Sequence, residues 1–265
     1  MKTIVITGST DGVGKLAAIQ LAKSNHQIIL HGRNSEKLKN TISEIKEKTS
    51  NNKISGFVSD LSDFNSIEKM IAELSNEFSS IDVLINNAGV FKSSVRQNND
   101  NLDMRFAVNY FAPYLLTTRL LPLLKNSNSS RILNLSSAAQ ASVSIEALKG
   151  NEQISSNEAY AQSKLALTMW SFAFAKANPS ITTIAVNPGS LLNTNMVKEA
   201  YGHYWSSADK GADILYELAV SEKHQENNGT YFDNDKRTFS NAHNDAYNQE
   251  KINQLISETN KILKL

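Results

Sequence analysis

Cysteine is absent from the 265-residue sequence. A chain without cysteine forms no disulfide, binds no metal through a thiolate and has no cysteine nucleophile. Proline is scarce, with four in the chain, and glycine numbers 11. No stretch rich in Pro, Gly or Ser therefore marks a boundary between domains, and we expect a single domain over residues 1–265.

Neither sign of charge dominates, because 27 Lys and Arg accompany 26 Asp and Glu for a formal net charge of +1. This balance offers no attraction to nucleic acid or to an anionic membrane, so we expect neither as a partner. No apolar run approaches the about 18 residues of a membrane span. The first residues already have the pattern of a buried strand, so we expect no signal peptide and a cytoplasmic chain. Five scattered histidines show no ligand spacing, so we expect no metal site.

Strand-like apolar runs alternate with longer helical patterns along most of the chain. The predicted strands cover residues 3–7, 27–31, 53–58, 82–86, 131–135, 181–186 and 229–232. The predicted helices cover residues 13–24, 35–49, 64–78, 101–124, about 160–176, 208–220 and the C-terminal segment. This alternation predicts an α/β fold, a doubly wound parallel sheet (Rossmann-like) with helices on both faces. Ligands of such sheets bind at the carboxyl ends of the strands.

A glycine-containing loop follows the first predicted strand. Glycines there allow a tight turn, close approach of the backbone to a pyrophosphate and an anion at the helix N-terminus. The spacing is Gly-x-x-x-Gly-x-Gly, which favours nucleotide binding over an ordinary turn because of its place between strand and helix. The candidate cofactor-binding residues of this loop are Gly8, Thr10, Asp11, Gly12, Val13 and Gly14.

The end of the second strand bears on the choice between NADP and NAD. NAD sites usually have an acidic residue about 20 positions beyond the glycines, but residues 30–34 contain none. Arg33 could instead receive the 2′-phosphate of NADP. An arginine exposed to solvent at a strand end is the alternative, and both interpretations stay open. The sequence therefore favours NADP as the cofactor, with NAD as the second choice.

Tyr160 and Lys164 stand four residues apart in a helical segment, so their side chains would project from one face. A phenol normally has a pKa of about 10, so it exchanges protons poorly at neutral pH. A neighbouring cation favours the phenolate and moves the pKa toward a useful range. Such pairs also occur by chance on exposed helices, so the pair predicts proton transfer only in combination with the motifs upstream.

In combination, these motifs resemble the short-chain dehydrogenase/reductase family. The resemblance runs from the first strand to about Gly189 and continues more weakly to Phe232. It is carried by residues 7–14, the Asn-Asn-Ala-Gly sequence at 86–89, Asn109, Ser136–Ser137, residues 160–164 and Pro188–Gly189. The segment of 23 positions from Ser137 to Tyr160 is longer than the family's commonest spacing, and with Arg33 it resembles the retinol-dehydrogenase-like branch. We take that as a likeness of architecture and not as evidence for a retinoid.

The resemblance implies a role for each matching residue. The implied catalytic residues are Asn109, Ser137, Tyr160 and Lys164. Ser137 would bind the substrate oxygen, with Ser136 nearer the cofactor. Tyr160 would be the acid or base, and Lys164 would hold the nicotinamide ribose and lower the pKa of Tyr160. The further implied cofactor-binding residues are Asp60, Leu61, Asn87, Ala88, Gly89, Pro188 and Gly189, together with Tyr160 and Lys164.

Asn109 stands four residues before Pro113 in a predicted helix. Proline gives no amide hydrogen to the carbonyl four residues earlier, so the Asn109 carbonyl should be released and the helix should kink. The released carbonyl could hold a water linked to Lys164, as the family's asparagine is thought to do. An ordinary kink with a polar side chain nearby is the alternative.

Two segments would supply the substrate contacts, residues 138–158 and 190–207. The second contains Tyr201, His203, Tyr204 and Trp205, which could line an apolar pocket or a lid; they could equally pack the loop onto the domain or onto another subunit. One departure from the family's pattern is Asp11, where many NADP-preferring members carry a basic residue.

The sequence therefore predicts an NAD(P)-dependent oxidoreductase that moves hydride between the nicotinamide and a carbonyl or alcohol of a small, apolar substrate. A homo-oligomer is possible by family habit. A catalytically silent nucleotide-sensing or scaffolding protein on the same fold is the alternative, although such relatives usually lose the tyrosine or the lysine. A methyltransferase would expect an acidic residue closing the second strand, where Arg33 stands instead.

Overall fold

Eight strands form one sheet in the part of the chain that the structure describes. The structure is a computed structural model, and it describes the backbone of residues 1–265 and every side chain except that of Tyr201. The strands are β1 (Thr3–Ile6), β2 (Gln27–Gly32), β3 (Ile54–Val58), β4 (Val83–Asn86), β5 (Arg131–Leu135), β6 (Thr182–Asn187), β7 (Thr230–Asp233) and β8 (Thr238–Ser240). Their order across the sheet is β3-β2-β1-β4-β5-β6-β7-β8. All neighbours pair in parallel except β8, which is antiparallel to β7.

Helices connect the parallel strands and cover both faces of the sheet. They are α1 (Gly12–Lys23), α2 (Ser35–Thr49), α3 (Phe64–Glu77), α4 (Met104–Phe106), α5 (Ala112–Arg119), α6 (Leu121–Lys125), α7 (Ile145–Leu148), α8 (Ser156–Ala177), α9 (Asn195–Tyr201), α10 (Asp209–Val220) and α11 (Gln249–Leu263). The predicted doubly wound α/β fold is confirmed. Among the described residues, none of the helices is both long and apolar enough to cross a membrane.

The three-layer packing follows from alternation along the central strands. In β1, Ile4 and Ile6 point to one face and Val5 points to the other. Ile4 and Ile6 belong to a core that includes residues of α1, α2 and α10. Val5 belongs to a second core that includes residues of α3, α5, α8 and α11. Strands buried on both faces explain the continuous apolar runs of the sequence.

The helix predicted over residues 101–124 is interrupted. A π-helical segment, Ala107–Phe111, separates α4 from α5, and Asn109 lies at its centre. Pro113 stands in the first turn of α5, where its missing amide hydrogen costs least. A second break at Leu120 precedes Pro122 near the start of α6. The predicted irregularity at Asn109 is therefore present, as a π-segment at the junction of two helices.

Candidate active site

A cleft of about 450 Å³ lies at the carboxyl ends of the parallel strands. It is lined by most of the residues predicted to bind the cofactor. These are Gly8, Thr10, Asp11, Gly12, Val13, Arg33, Asp60, Leu61, Asn87, Ala88, Gly89, Tyr160, Lys164, Pro188 and Gly189. Three predicted site residues, Gly14, Asn109 and Ser137, are not part of this lining among the described residues. With Leu135 and Ser136 at the end of β5, the cleft is lined from the ends of six strands, β1 to β6.

The glycine loop after β1 is held from behind by the segment that follows β4. The Asn87 side chain donates to the carbonyl oxygens of Thr7 and Gly8 at 2.8 and 3.0 Å. The Thr7 hydroxyl accepts from the Asn87 and Ala88 amides, each at 3.0 Å. Gly8 has φ +63° and packs so closely that a Cβ there would lie 2.8 Å from the Ala88 Cα. Close backbone packing of this kind produces a cradle for a phosphate.

Gly14 acts in packing behind the cleft wall. A Cβ at this position would lie 2.3 Å from the side-chain nitrogen of Asn87 (Nδ2) and 2.7 Å from the backbone carbonyl oxygen of Gly8. Real Cβ atoms do not come so near to backbone, so a side chain here would push α1 away from the loop. The third glycine of the motif therefore allows α1 to approach the sheet closely, as the pattern implied.

His31, in β2, is a cleft residue that the sequence analysis did not single out. Its Nδ1 accepts from the Gly8 amide at 3.0 Å, and its Nε2 lies 3.0 Å from the Ser59 carbonyl oxygen. The ring must be neutral with its proton on Nε2 to make both bonds. Burial is the main cause that lowers the pKa of His31 to about 4. The neutral ring therefore links the glycine loop to the ends of β2 and β3.

Asp11 stands at the N-terminus of α1 and binds two neighbours. Its carboxylate accepts from the Lys37 ammonium and from the Asn195 side chain, each at 2.8 Å. It also caps α1 by accepting from the Gly12 amide at 2.8 Å. Burial acts to raise the pKa of Asp11, but these hydrogen bonds and the Lys37 charge lower it. The negative charge that departs from the family's pattern is thus paired with a lysine of α2.

Tyr160 and Lys164 lie in the second and third turns of α8, whose N-terminus is fixed by a capping box. The Ser155 hydroxyl accepts from the Glu158 amide, and the Glu158 carboxylate accepts from the Ser155 amide. The Lys164 ammonium lies 5.6 Å from the centre of the Tyr160 ring. It donates to the Leu135 carbonyl oxygen at the end of β5 over 2.6 Å. Burial lowers the pKa of Lys164 to about 8.

Asn109 lies beneath this pair and is fully buried. Its side-chain oxygen accepts from the Val90 amide at 2.7 Å, and its side-chain nitrogen donates to the Val90 carbonyl at 3.0 Å. The same nitrogen donates to the Ser163 hydroxyl on α8 at 3.0 Å. A Cβ on Gly89 would lie 3.3 Å from the Asn109 oxygen and 3.5 Å from the Lys164 nitrogen. The Asn109 side chain therefore joins the loop after β4 to α8.

The two serines after β5 make different contacts. The Ser136 hydroxyl is buried against α8, 2.7 Å from the Thr168 hydroxyl and 3.2 Å from the Lys164 carbonyl oxygen. The Ser137 hydroxyl oxygen accepts from the Ala139 amide at 3.1 Å. The Ser137 carbonyl accepts from the Tyr231 hydroxyl at 3.0 Å, so β7 braces this loop. Ser136 is tied to the helix, whereas Ser137 stays half-buried at the surface of the loop.

Apolar side chains line the cleft beside Tyr160. The Phe91 ring lies 4.9 Å from the Tyr160 ring, measured between centroids. From the segment 190–207, the cleft is lined by Leu192, Thr194, Asn195, Met196, Val197 and Glu199. Tyr204 is 49% exposed and Trp205 is 74% exposed, and neither is among the described lining residues. The Tyr201 side chain, also predicted to line a lid, lies outside the described residues.

The segment 138–158 contributes to the hydrophobic core through one short helix. Its short helix α7 contributes the buried Leu148 to the core that α8 also enters, with Ile145 packed against that core. None of the described residues of this segment lines the cleft. The described residues also include no group of three or more His, Asp or Glu side chains placed to hold a metal ion.

Comparison with known proteins agrees with this geometry. The family model of the short chain dehydrogenases matches residues 2–205. The chain belongs to this family. It is 32% identical to polyprenol dehydrogenase of Homo sapiens over 279 residues, which covers 97% of this chain and 84% of that protein. It is 32% identical to retinol dehydrogenase 13 of Homo sapiens over 252 residues, covering 88% of this chain and 76% of that protein. The predicted retinol-dehydrogenase-like branch is therefore confirmed.

Solved structures of other short-chain dehydrogenases share the fold. A short chain dehydrogenase from Escherichia coli CFT073, complexed with NADPH, superposes with a TM-score of 0.74 at 25% identity and covers 88% of this chain and 96% of its own. One from Shigella flexneri 2a str. 301, complexed with NADP, gives 0.72 at 26% identity, with 88% and 97% covered. An uncharacterised protein from Mycobacterium paratuberculosis gives 0.82 at 21% identity, with 100% and 94% covered, a likeness of fold alone.

Several residues around the site of this short-chain dehydrogenase were missed by sequence reasoning. They are His31, Lys37, Phe91, Asn195, Tyr231 and Asp235. Lys37 had a signal, since it follows Arg33 by one helical turn and sits just inside the N-terminus of α2, capped by Asn34. The others make their contacts with segments distant in sequence, so no local pattern marks them.

Proposed function

We propose that this short-chain dehydrogenase is an NAD(P)-dependent oxidoreductase acting on a carbonyl, or on a primary or secondary alcohol, of a small apolar substrate. The buried ammonium of Lys164, 5.6 Å from the centre of the Tyr160 ring and at the floor of the cleft, is the observation that carries the proposal. A buried cation without a carboxylate partner is costly to a fold. Such a group is retained where it performs a function, here the stabilisation of a phenolate.

The cleft suits a dinucleotide. Gly8 and Gly12 line the cleft without side chains, so a pyrophosphate would approach the backbone of the glycine loop there. When bound, a nicotinamide cofactor supplies or accepts the hydride. Asp60 and Leu61 would border the adenine, and Asn87, Ala88 and Gly89 would support the cofactor from behind β4. Pro188 and Gly189 would lie beside the nicotinamide.

The proton steps belong to three residues of the chain. In the reducing direction, the hydroxyls of Ser137 and Tyr160 polarise the substrate carbonyl oxygen. Tyr160 then gives its proton to the developing alkoxide, and the Lys164 ammonium stabilises the phenolate that remains. In the oxidising direction, Tyr160 takes the alcohol proton. Ser136 lines the cleft and Ser137 does not, but the Ser136 hydroxyl is engaged by α8, so we assign the substrate contact to Ser137.

The apolar character of the substrate is inferred from the apolar side chains that line the cleft. Phe91 packs against the Tyr160 ring, and Val90, Met196 and Val197 also line the cleft. Two similar proteins are named retinol dehydrogenase and polyprenol dehydrogenase, and both names denote alcohols with an apolar chain. An alcohol or aldehyde on an apolar chain or ring is thus the substrate class that we propose.

We favour NADP over NAD as the cofactor. Arg33 lines the cleft at the end of β2, and no carboxylate stands in residues 30–34 to bind a 2′-hydroxyl. The carboxylate of Asp11 is neutralised by Lys37, so it offers less repulsion to a 2′-phosphate than the sequence alone indicated. Two similar structures are complexed with NADPH or NADP. The cytoplasmic location, the lack of nucleic-acid and membrane partners and the possible homo-oligomer stay predictions from the sequence.

Titration with NADPH and with NADH, followed by assays on apolar aldehydes, ketones and alcohols, tests the proposal. We expect tighter binding of NADPH and turnover of at least one apolar substrate. Tyr160→Phe should lower turnover by a factor of about a hundred or more, with cofactor affinity nearly unchanged. Tyr216→Phe, which removes a surface phenol bonded to Ser24, is the matched control and should retain full turnover.

Two outcomes would contradict the proposal in different ways. Near-normal turnover of Tyr160→Phe would remove the tyrosine from the mechanism. Cofactor binding without oxidation or reduction of any compound in a broad panel would favour a nucleotide-sensing or scaffolding protein on the same fold.

A further inference from the structure

The turn between β7 and β8 lies directly behind the loop that follows β6. β6 and β7 are parallel neighbours, with Asn187 opposite Asp233. Because both strands end at the same edge of the sheet, the loop Pro188–Ser190 and the turn Asn234–Asp235 leave it side by side. Pro188 and Gly189 line the cleft, so the turn supports the part of the loop that faces the cleft from the opposite side.

Asp235 makes the densest set of contacts in this turn. Its carboxylate accepts from the Ser190 amide at 3.0 and 3.1 Å and from the Ser190 hydroxyl at 2.5 Å. It also accepts from the Asn187 side chain at 3.0 Å and from the Lys210 ammonium at 3.1 Å. Three segments of the chain, the end of β6, the loop after it and α10, therefore converge on one carboxylate.

Pro188 and Gly189, the two residues before Ser190, are also fixed by hydrogen bonds to neighbouring side chains. The Asn234 side chain donates to the Pro188 carbonyl at 2.8 Å and to the Lys210 carbonyl at 2.9 Å. The Asn187 side-chain oxygen accepts from the Gly189 amide at 3.2 Å. Gly189 has φ +123°, a conformation that only glycine adopts readily. Each residue of the loop thus has a backbone group fixed by β6 or by the turn.

The groups around Asp235 keep its carboxylate ionised, which is the form that accepts these hydrogen bonds. Burial acts to raise its pKa, but the hydrogen bonds from Ser190, Asn187 and Lys210 outweigh this effect and lower the pKa to about 2. Lys210 provides the compensating charge at 3.1 Å, and Lys236 lies 3.4 Å from the neighbouring Asp233. The carboxylate remains ionised, and its acceptor oxygens remain available, throughout the pH range of an assay.

This bracing comes from outside the part of the chain that matches the family model. The match ends at residue 205, whereas Asp233, Asn234 and Asp235 follow about thirty positions later in the printed sequence. The matching part supplies the Pro188–Gly189 loop and Asn187, but Asn234 and Asp235, which hold Pro188 and Ser190, lie beyond it. A role for the C-terminal segment in the site is therefore a property read from this structure.

We propose that Asp235 is a positioning residue that fixes the Pro188–Ser190 loop and thereby the nicotinamide end of the bound cofactor. The proposal builds on the proposed function, because it takes this loop to be the one beside the nicotinamide. Asp235 acts through Ser190 and does not itself touch the reacting atoms. A loop held to within a fraction of an ångström matters because small displacements of a reacting ring cost large factors in rate.

Calorimetric titration of Asp235→Asn with two ligands separates this role from general support of the fold. One ligand is NADPH, and the other is adenosine 2′,5′-bisphosphate, which has the adenosine end of the cofactor but no nicotinamide. An amide in place of the carboxylate turns one acceptor oxygen into a donor and sets it against the donors of Ser190, Asn187 and Lys210. We expect NADPH affinity to fall roughly tenfold and bisphosphate affinity to change less than about twofold.

Asp245→Asn is the matched control, since it makes the same change at a carboxylate that pairs with Lys251 away from the described cleft lining. It should leave both affinities unchanged. If Asp235→Asn does not fold, Ser190→Ala, which removes only the 2.5 Å hydroxyl bond, gives the same comparison and a smaller loss for NADPH alone. Asp235→Glu, which keeps the charge, should recover part of the NADPH affinity.

The outcomes are distinguishable. An equal loss of affinity for the two ligands, or no loss for either, would overturn the positioning role. If the unsubstituted protein bound neither NADPH nor NADH, the proposed function itself would instead be overturned. For the variants with measurable turnover, a rise in the deuterium isotope effect with 4-deuterated NADPH would support misalignment of the ring. An unchanged isotope effect with unchanged kcat would count against the role.

Discussion

The Lys164 ammonium donates a hydrogen bond to the Leu135 carbonyl oxygen over 2.6 Å, at a position where Lys164 is only 3% exposed. A backbone carbonyl offers a partial negative charge, far less than a carboxylate would. Burial therefore dominates and lowers the pKa of Lys164 to about 8. In the absence of cofactor this lysine costs folding free energy, and the stabilisation of a Tyr160 phenolate that we propose would explain why it is present.

Replacement of this lysine should therefore separate stability from activity. Lys164→Met keeps an unbranched chain of similar length without the charge, and we expect it to raise the free energy of unfolding at pH 7 by about 1–2 kcal/mol while turnover is lost. Urea denaturation without cofactor measures the first effect. Lys69→Met, at an exposed position on α3, should change neither stability nor turnover appreciably. Lower stability of Lys164→Met would show that the buried charge stabilises the fold.

The same lysine predicts how stability changes at alkaline pH. The pKa of Lys164 is about 8 in the folded protein and has its model value of 10.5 without burial, so the unfolded chain binds more protons between these values. Stability should therefore rise as the pH increases from about 8 to 10.5. Lys164→Met should lack this component of the rise, which denaturation at a series of pH values would measure.

The order of strands and helices could be predicted because each element carries its own periodicity. The helix over residues 35–49 was predicted with the bounds of α2. Strand β8 was not predicted, since three residues are too few to show an alternation and their pairing depends on the turn at Asp235. The break at Ala107–Phe111 was predicted only as a kink, because its π-form depends on the tertiary contacts of Asn109.

The residues of the candidate site likewise divide into those that the sequence could predict and those that it could not. Tyr160 and Lys164 could be predicted because one helix turn brings them together. The contacts of His31 and Asp235 join groups 23 and 45 residues apart, and their partners are backbone amides, which have no signature in a sequence. His31 lies within residues 30–34, the strand end in which a carboxylate was sought. Only the folded structure shows that its ring accepts a hydrogen bond from the Gly8 amide.

His31 should make the stability of the fold sensitive to acid. The folded protein lowers the pKa of His31 from 6.5 to about 4, so the unfolded chain binds more protons between these pH values. The resulting stability, about 3 kcal/mol, is fully present above pH 6.5 and is lost as the pH falls to about 4. His31→Phe keeps a ring but removes this slope in an acid-denaturation series. His243→Phe, on a ring outside the described cleft lining, should keep it.

His31→Phe should also weaken NADPH binding at neutral pH. The Gly8 amide loses its acceptor and the Ser59 carbonyl loses its donor, which frees the glycine loop from β2 and β3. We expect the Kd for NADPH to rise about tenfold, because leaving buried polar groups unpaired costs on the order of 1–3 kcal/mol. Calorimetry of the variant and of His243→Phe makes the comparison, and equal affinity of the two would remove His31 from the support of the loop.

Lys37 should discriminate NADPH from NADH through its pairing with Asp11. Lys37→Ala removes the cation that pairs with the Asp11 carboxylate, and Asp11 lines the same cleft as Arg33, so its uncompensated charge would repel a 2′-phosphate there. NADPH affinity should fall about three- to tenfold and NADH affinity should stay constant, since about 1 kcal/mol is typical of an exposed charge pair. Removing the repelling charge as well, in Lys37→Ala/Asp11→Asn, should restore most of the NADPH affinity. Lys39→Ala, on the same helix, is the control.

A similar loss for both cofactors in Lys37→Ala would assign Lys37 to the shape of the loop instead of to the 2′-phosphate. If the double variant did not recover NADPH affinity, the effect of Lys37 would not depend on the charge of Asp11. With Asp11→Asn alone and the unsubstituted protein, these two variants complete a double-mutant cycle, which measures how far a lysine beyond the strand end compensates for an acidic residue in the glycine loop.

The Tyr231 hydroxyl should matter to turnover although it lies outside the cleft lining described above. It donates to the Ser137 carbonyl at 3.0 Å. Burial, with the charges of Asp233 and Asp235, raises the pKa of Tyr231, so the hydroxyl keeps its proton and remains a donor. Tyr231→Phe removes one bond from the loop that presents Ser137, and we expect kcat to fall about tenfold while the Kd for NADPH is unchanged.

Two comparisons make the Tyr231 result specific. Ser137→Ala should cause the larger loss of turnover, and the double variant should lose little more than Ser137→Ala alone, because Tyr231 acts only through the position of Ser137. Tyr216→Phe removes a phenol bonded to Ser24 at the surface and should leave kcat unchanged. Additive losses in the double variant would mean that Tyr231 affects turnover independently of Ser137. If Tyr231 acts only by positioning the Ser137 hydroxyl, its removal has no further effect once that hydroxyl is absent.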